Sequence, residues 1–111
     1  QTGAVYRLLK SSIIGINTIS TEVPSKYSLS QNYPNPFNPT TNIEFSLPEK
    51  SFVKLNVFEI SGREVSQLVN ENLTAGTFKY DFNAENLPSG TYFYKLETDK
   101  FSETKKMIVL K

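Results

Sequence analysis

The chain has 111 residues, with 12 Lys+Arg against 11 Asp+Glu, and contains no histidine, cysteine or tryptophan. The length suits one domain, and 38% hydrophobic with 13% aromatic residues suits a thin core. Missing thiols and imidazoles exclude a disulfide framework, zinc sites of the structural type and every nucleophile–histidine mechanism. A formal charge of +1 lacks the concentrated basic footprint of a nucleic-acid binder. No apolar run reaches the roughly 18 residues of a membrane span, and Ser12–Ile19 is too short and too polar for one. With neither a start methionine nor a signal-peptide pattern, the chain is expected to be a mature or excised piece. Carboxylate chemistry remains, or binding and assembly without catalysis.

Two β-branched stretches, Ala4–Leu9 and Ile13–Ile19, open the chain and are parted by Lys10, Ser11 and Ser12. Residues 21–42 carry Pro24, Pro34, Pro36 and Pro39 among Asn32, Asn35, Asn38 and Asn42. Proline removes backbone donors and holds its predecessor extended, so this linker is neither helix nor central strand. From Ile43 the pattern turns to period-2 alternation. Ile43, Phe45 and Leu47 form one face, then Val53, Leu55 and Val57. Ser61-Gly62 reads as a two-residue hairpin turn leading into Glu64–Val69. Gly76 opens a strand with Phe78, Tyr80 and Phe82 on one face, and Asn83–Gly90 is a long turn. Thr91–Thr98 follows with Tyr92, Tyr94 and Leu96 on one side, and Phe101–Leu110 closes the chain. No stretch shows helical periodicity with start and stop signals. Short strands at this spacing predict an all-β antiparallel sandwich of about seven strands, preceded by an extended N-terminal segment and a Pro/Asn-rich linker. The expected division is 1–26 for segment and linker and 27–111 for the sandwich.

Two strands break the alternation. Tyr92-Phe93-Tyr94 and Met107-Ile108-Val109-Leu110 are apolar on both faces, as a central strand or a contact with another protein would be. Lys105, Lys106 and Lys111 flank the second run as gatekeepers against edge-to-edge pairing. The N-terminal stretch admits three fates: a further strand of this sandwich, the tail of an upstream domain, or a donor strand for another copy. Its donor residues would be Val5, Leu8, Ile13, Ile14, Ile16 and Ile19. Asp81, Asn83, Glu85 and Asn86 resemble an oxygen-ligand loop but lack its turn glycine, and Asx turns explain them better. Asn72-Leu-Thr74 fits a glycosylation acceptor, a pattern often met by chance. No catalytic residue, cofactor or metal is expected.

One resemblance runs through these motifs in order. The run Tyr27-Ser-Leu-Ser-Gln-Asn-Tyr-Pro-Asn-Pro-Phe-Asn-Pro-Thr-Thr-Asn-Ile-Glu-Phe45 resembles the opening of type A C-terminal sorting domains of the type IX secretion system. So do Val57-Phe-Glu-Ile-Ser-Gly-Arg-Glu-Val65, Asn83-Ala-Glu-Asn-Leu-Pro-Ser-Gly-Thr-Tyr-Phe-Tyr-Lys-Leu96 and Glu103-Thr-Lys-Lys-Met-Ile-Val-Leu-Lys111. The resemblance covers Tyr27–Lys111 and implies an immunoglobulin-like sandwich. It implies a non-enzymatic module recognised by the outer-membrane secretion machinery of a Gram-negative bacterium, then secreted or attached at the cell surface. By position, Gly90 and Tyr92 match its Gly-x-Tyr motif, and Lys106, Leu110 and Lys111 its terminal lysine-rich motif. The terminal strand is then expected to be an addressable edge for strand addition. The alternative is a structural subunit of a homopolymeric extracellular filament, built by N-terminal donor-strand exchange between copies.

Overall fold

The structure is a computed structural model and describes residues 16–20 and 22–111. Its strands are β1 (Ile16–Ser20), β2 (Ser28–Leu29), β3 (Thr40–Leu47), β4 (Ser51–Glu59), β5 (Glu64–Leu73), β6 (Gly76–Asn83), β7 (Gly90–Glu97) and β8 (Ser102–Val109). They form two antiparallel four-stranded sheets, ordered β1-β6-β3-β2 and β5-β4-β7-β8. The molecule measures 42 × 26 × 19 Å, and its least dimension suits two sheets packed face to face. The expected all-β sandwich is therefore what forms, with eight strands in place of about seven. The surplus is β2, two residues inside the linker that pair with Ser46 and Phe45 of β3.

The alternation read from the sequence builds the core directly. In β3 the residues Thr41, Ile43, Phe45 and Leu47 are buried, and in β4 so are Ser51, Val53, Leu55 and Val57. Register places Phe45 opposite Phe78, with the rings stacked at 5.5 Å between centroids. Such pairs contribute about 0.5–1.5 kcal/mol beyond the area they bury. In the second sheet Leu55 faces Leu96 and Val57 faces Tyr94, all buried. The Tyr92-Phe93-Tyr94 run has its central-strand explanation, because β7 lies between β4 and β8.

Two local readings change. The β4–β5 hairpin turns through Ile60, Ser61 and Gly62, not two residues, since Glu59 N–H donates to Arg63 C=O (2.9 Å). Gly62 N–H donates to Glu59 C=O (2.8 Å) and Gly62 sits at φ +96°, so a turn is followed by a left-handed residue that glycine favours. Strand β5 also runs on to Leu73, past the Val69 limit expected from alternation. Register shifts opposite Leu55/Asn56 and Val57/Phe58 mark bulges in β5, and the first turns both Leu68 and Val69 to the core.

The linker is largely built into the fold. Its X–Pro bonds at Pro34, Pro36 and Pro39 are cis. Tyr33 bridges Asn42, and Phe37 forms a parallel bridge with Val109, so the segment crosses from one sheet to the other. At the opposite end of the sandwich, Tyr27 stacks on Phe101 at 5.3 Å. Lys100 Nζ donates to Glu49 Oε2 (2.9 Å), and the Tyr27 hydroxyl donates to the same oxygen (3.2 Å).

Candidate functional site

Register brings together the two motifs on which the sequence resemblance rests. Gly90 pairs with Val109 and Tyr92 with Met107, so residues well apart in the chain become cross-strand neighbours. Gly90 has φ +156°, and a Cβ there would meet only the Tyr92 ring at 3.9 Å. Backbone conformation, not space, therefore asks for glycine. Tyr92 is buried and its hydroxyl donates to Pro88 C=O (2.8 Å), fastening the β6–β7 loop to the strand it feeds. A tyrosine bonding back to its upstream backbone is also the corner device of immunoglobulin-type sandwiches. Lys111 completes this corner: its N–H donates to Ser89 Oγ (2.9 Å) and its Nζ to Glu85 C=O (2.6 Å).

The outward side of the same strands is partly apolar. Phe58, Phe93 and Lys106 lie in one cross-strand row, and Thr91 faces Ile108 in the next. Phe58, Phe93 and Ile108 are half-buried, while Leu110 is 60% exposed. Lys106 itself is exposed.

The open edge of β8 is not free. Phe37 N–H donates to Ile108 C=O and Leu110 N–H donates to Phe37 C=O, each at 3.0 Å. Ile108 N–H donates to Asn35 Oδ1 (3.0 Å), and Gln31 Nε2 donates to Lys106 C=O (2.7 Å). The segment Gln31–Phe37 thus forms a strap over the edge, with the Phe37 side chain 3% exposed and edge-on to Phe82 at 6.3 Å. The first half of β8 carries a different guard. Glu103 and Lys105 pair with Leu96 and Tyr94, which point inward, and form an ion pair of 3.1 Å. Inward-pointing charge discourages strand addition. The edge expected to be addressable by strand addition is thus covered, between Lys106 and Leu110, by the chain's own strap.

A buried polar network anchors the strap. Tyr94, fully buried, donates to Ser30 C=O (2.7 Å) and accepts from Asn32 N–H (2.8 Å). Asn32 Nδ2 donates to Thr41 Oγ1 (3.0 Å) and Pro34 C=O (3.2 Å), while its Oδ1 accepts from Gln31 Nε2 (2.7 Å). Burial pushes the Tyr94 phenol up to about 12, against the lowering by the Asn32 N–H bond; the Glu103 carboxylate pushes the same way as burial. Sequence reasoning missed this network. The signal that could have found it was Phe37, a lone large apolar residue inside a Pro/Asn run.

Other sequence candidates fall elsewhere. Of the donor-strand set, Val5, Leu8, Ile13 and Ile14 lie outside the described residues. Ile16 pairs with Tyr80 of β6, and Ile19 is exposed at the irregularity between Thr18 and Ser20. Asn83 Oδ1 accepts from Glu85 N–H (2.8 Å), the Asx turn that was the alternative to a metal loop. Among the described residues no group of three or more His, Cys, Asp or Glu could hold a metal ion. An open cleft on the β3–β6 face is lined by Pro34, Thr40, Thr41, Asn42, Lys79 and Asp81.

These features define an antiparallel β-sandwich whose distinctive site is a strapped last strand, β8. The chain belongs to the secretion system C-terminal sorting domain family, which matches residues 31–110. That span begins at Gln31 and ends at Leu110, the outer limits of the contact between strap and β8. The family is that of type IX sorting signals, not an enzymatic kind; it implies contact with the secretion machinery and a secreted or cell-surface protein. No curated protein and no solved structure matches the chain. Among the described residues no helix is long and apolar enough to cross a membrane.

Proposed function

We propose that the domain is read by the outer-membrane machinery of a Gram-negative bacterium at its C-terminal corner, and that the exported protein is then attached at the cell surface. The observation carrying this reading is the convergence of Gly90, Tyr92, Lys106, Leu110 and Lys111 on one corner. Gly90 and Tyr92 shape the corner, while Lys106 and Leu110 face outward for contact. In the strapped form the signal is presented as side chains, a basic and apolar surface suited to an apolar groove with carboxylates at its rim. A Lys106→Glu, Leu110→Ser double variant fused to a cargo tests this. Export of the cargo should be lost while the melting temperature stays unchanged, because both side chains are exposed. Undiminished export would overturn the reading.

A second reading is the donor-strand filament. The observation favouring it is that Ile16–Ser20 joins the sandwich as an added edge strand on β6, the position a neighbour's strand would take. Light scattering on chains with and without Gln1–Thr21 separates the two readings.

A further inference from the structure

The strap lies on β8 as a bound peptide lies on a sheet edge. Strand-addition sites combine main-chain hydrogen bonds with a pocket for a side chain. Here Phe37 supplies both, through its bonds to Ile108 C=O and Leu110 N–H and through its buried ring. Yet the grip is sparse. Pro34 and Pro36 have no N–H to give, so no regular ladder forms, and Gln31 and Asn35 reach the edge by side chains instead. Tyr33, Pro34, Asn35 and Pro36 are all exposed. Along an edge strand every second residue turns its backbone groups outward. Since Lys106 and Ile108 do so, Thr104 does as well, and it lies beyond the reach of the strap's bonds. An incoming strand meets backbone there that the strap does not bond, guarded only by the Glu103–Lys105 pair, next to the stretch that the strap covers.

We propose that the β8 edge and the Phe37 pocket form a binding site for an extended, aromatic-anchored segment of a partner protein, which this chain fills with its own strap. A partner segment without proline makes the ladder the strap cannot make, and its aromatic side chain replaces the Phe37 ring. The Glu103–Lys105 pair there selects against strands lacking a complementary charge. The site stands on edge chemistry alone and does not depend on the export reading.

The probe is a fluorescent synthetic peptide with the sequence of Gln31–Pro39, added to the full chain and to its Phe37→Ala variant. The variant should bind it about tenfold or more tightly than the full chain, whose tethered strap competes at an effective concentration on the order of millimolar. A peptide with alanine in place of Phe37 should bind neither. A folded variant that ignores the peptide, or equal binding of both peptides, overturns the proposal. Should Phe37→Ala fail to fold, Gln31→Ala with Asn35→Ala replaces it, since those residues are exposed. Hydrogen exchange at the Ile108 and Leu110 amides should then quicken, with peptide capture alongside. Unchanged protection overturns the proposal.

Discussion

Tyr94 ties the β5-β4-β7-β8 sheet to the linker. Its ring fills the centre of the β4–β7–β8 sheet while its hydroxyl holds both Ser30 and Asn32 of the linker. Tyr94→Phe keeps the ring but leaves Ser30 C=O without its donor and Asn32 N–H without its acceptor. Denaturant titration should show a loss of about 1–3 kcal/mol, the cost of stranding buried polar groups. The folded phenol titrates at about 12 against an ordinary 10.0, so the unfolded chain gives up its proton first. Stability is full below pH 10 and falls as pH rises towards 12. Tyr94→Phe should flatten this alkaline slope, although Tyr80, also raised by burial, keeps part of it. At Gly90 the constraint is conformational. Gly90→Ala should lower stability by about 1–2 kcal/mol in the same titration, despite the room for a methyl group. The sequence displayed Gly90 and Tyr92 as a motif, but not that they stand against Val109 and Met107.

At the scale of elements, β3, β4, β6, β7 and the edge strand β8 were legible, whereas β2 and the far end of β5 were not. β3, β4 and β7 follow from alternation because each has one face packed against the opposing sheet. The edge strand β5 departs from alternation through its bulges, which seat Leu68 and Val69 together. Bulges twist an edge away from pairing, and inward charge deters it further. Glu71 plays the second part on β5, opposite inward-facing Val53, as Glu103 and Lys105 do on β8. Replacing Glu103 and Lys105 together by valine should leave the fold intact but promote edge-to-edge pairing. Light scattering over a concentration series should then reveal dimers or larger species; a strictly monomeric variant would show that the ion pair is no guard.

The described molecule reads as a six-stranded body, Thr40–Val109, against which β1, β2 and the strap are laid. β1 closes the edge of β6, β2 closes β3, and the strap closes β8. Removal of Gln1–Thr21 takes away β1 and bares β6. The sorting reading expects the full chain to scatter as a monomer, and the shortened chain to associate more readily through that new edge. A full chain that forms long assemblies, lost on the same truncation, would instead favour the filament. Exposed ion pairs such as Arg63–Glu59 and Lys100–Glu49 hold Glu59 and Glu49 below the usual carboxylate range. Their contribution is present at neutral pH and lost as pH falls through those lowered values. Being exposed, they decide little of the fold.

Length, composition and alternation by themselves determined an all-β sandwich without histidine or thiol chemistry, and the ordered motifs pointed to a sorting domain. Those properties are local: side-chain alternation, turn residues and missing residue types are written along the chain. Only the tertiary structure decided which edges stay open. Hydrogen bonds between Gln31, Asn35 and Phe37 and residues some 70 positions away leave no periodic trace in the sequence. The described residues of this chain of 111, which has neither histidine nor cysteine, thus form a sandwich held by packing and strand pairing, whose last strand is covered by its own linker.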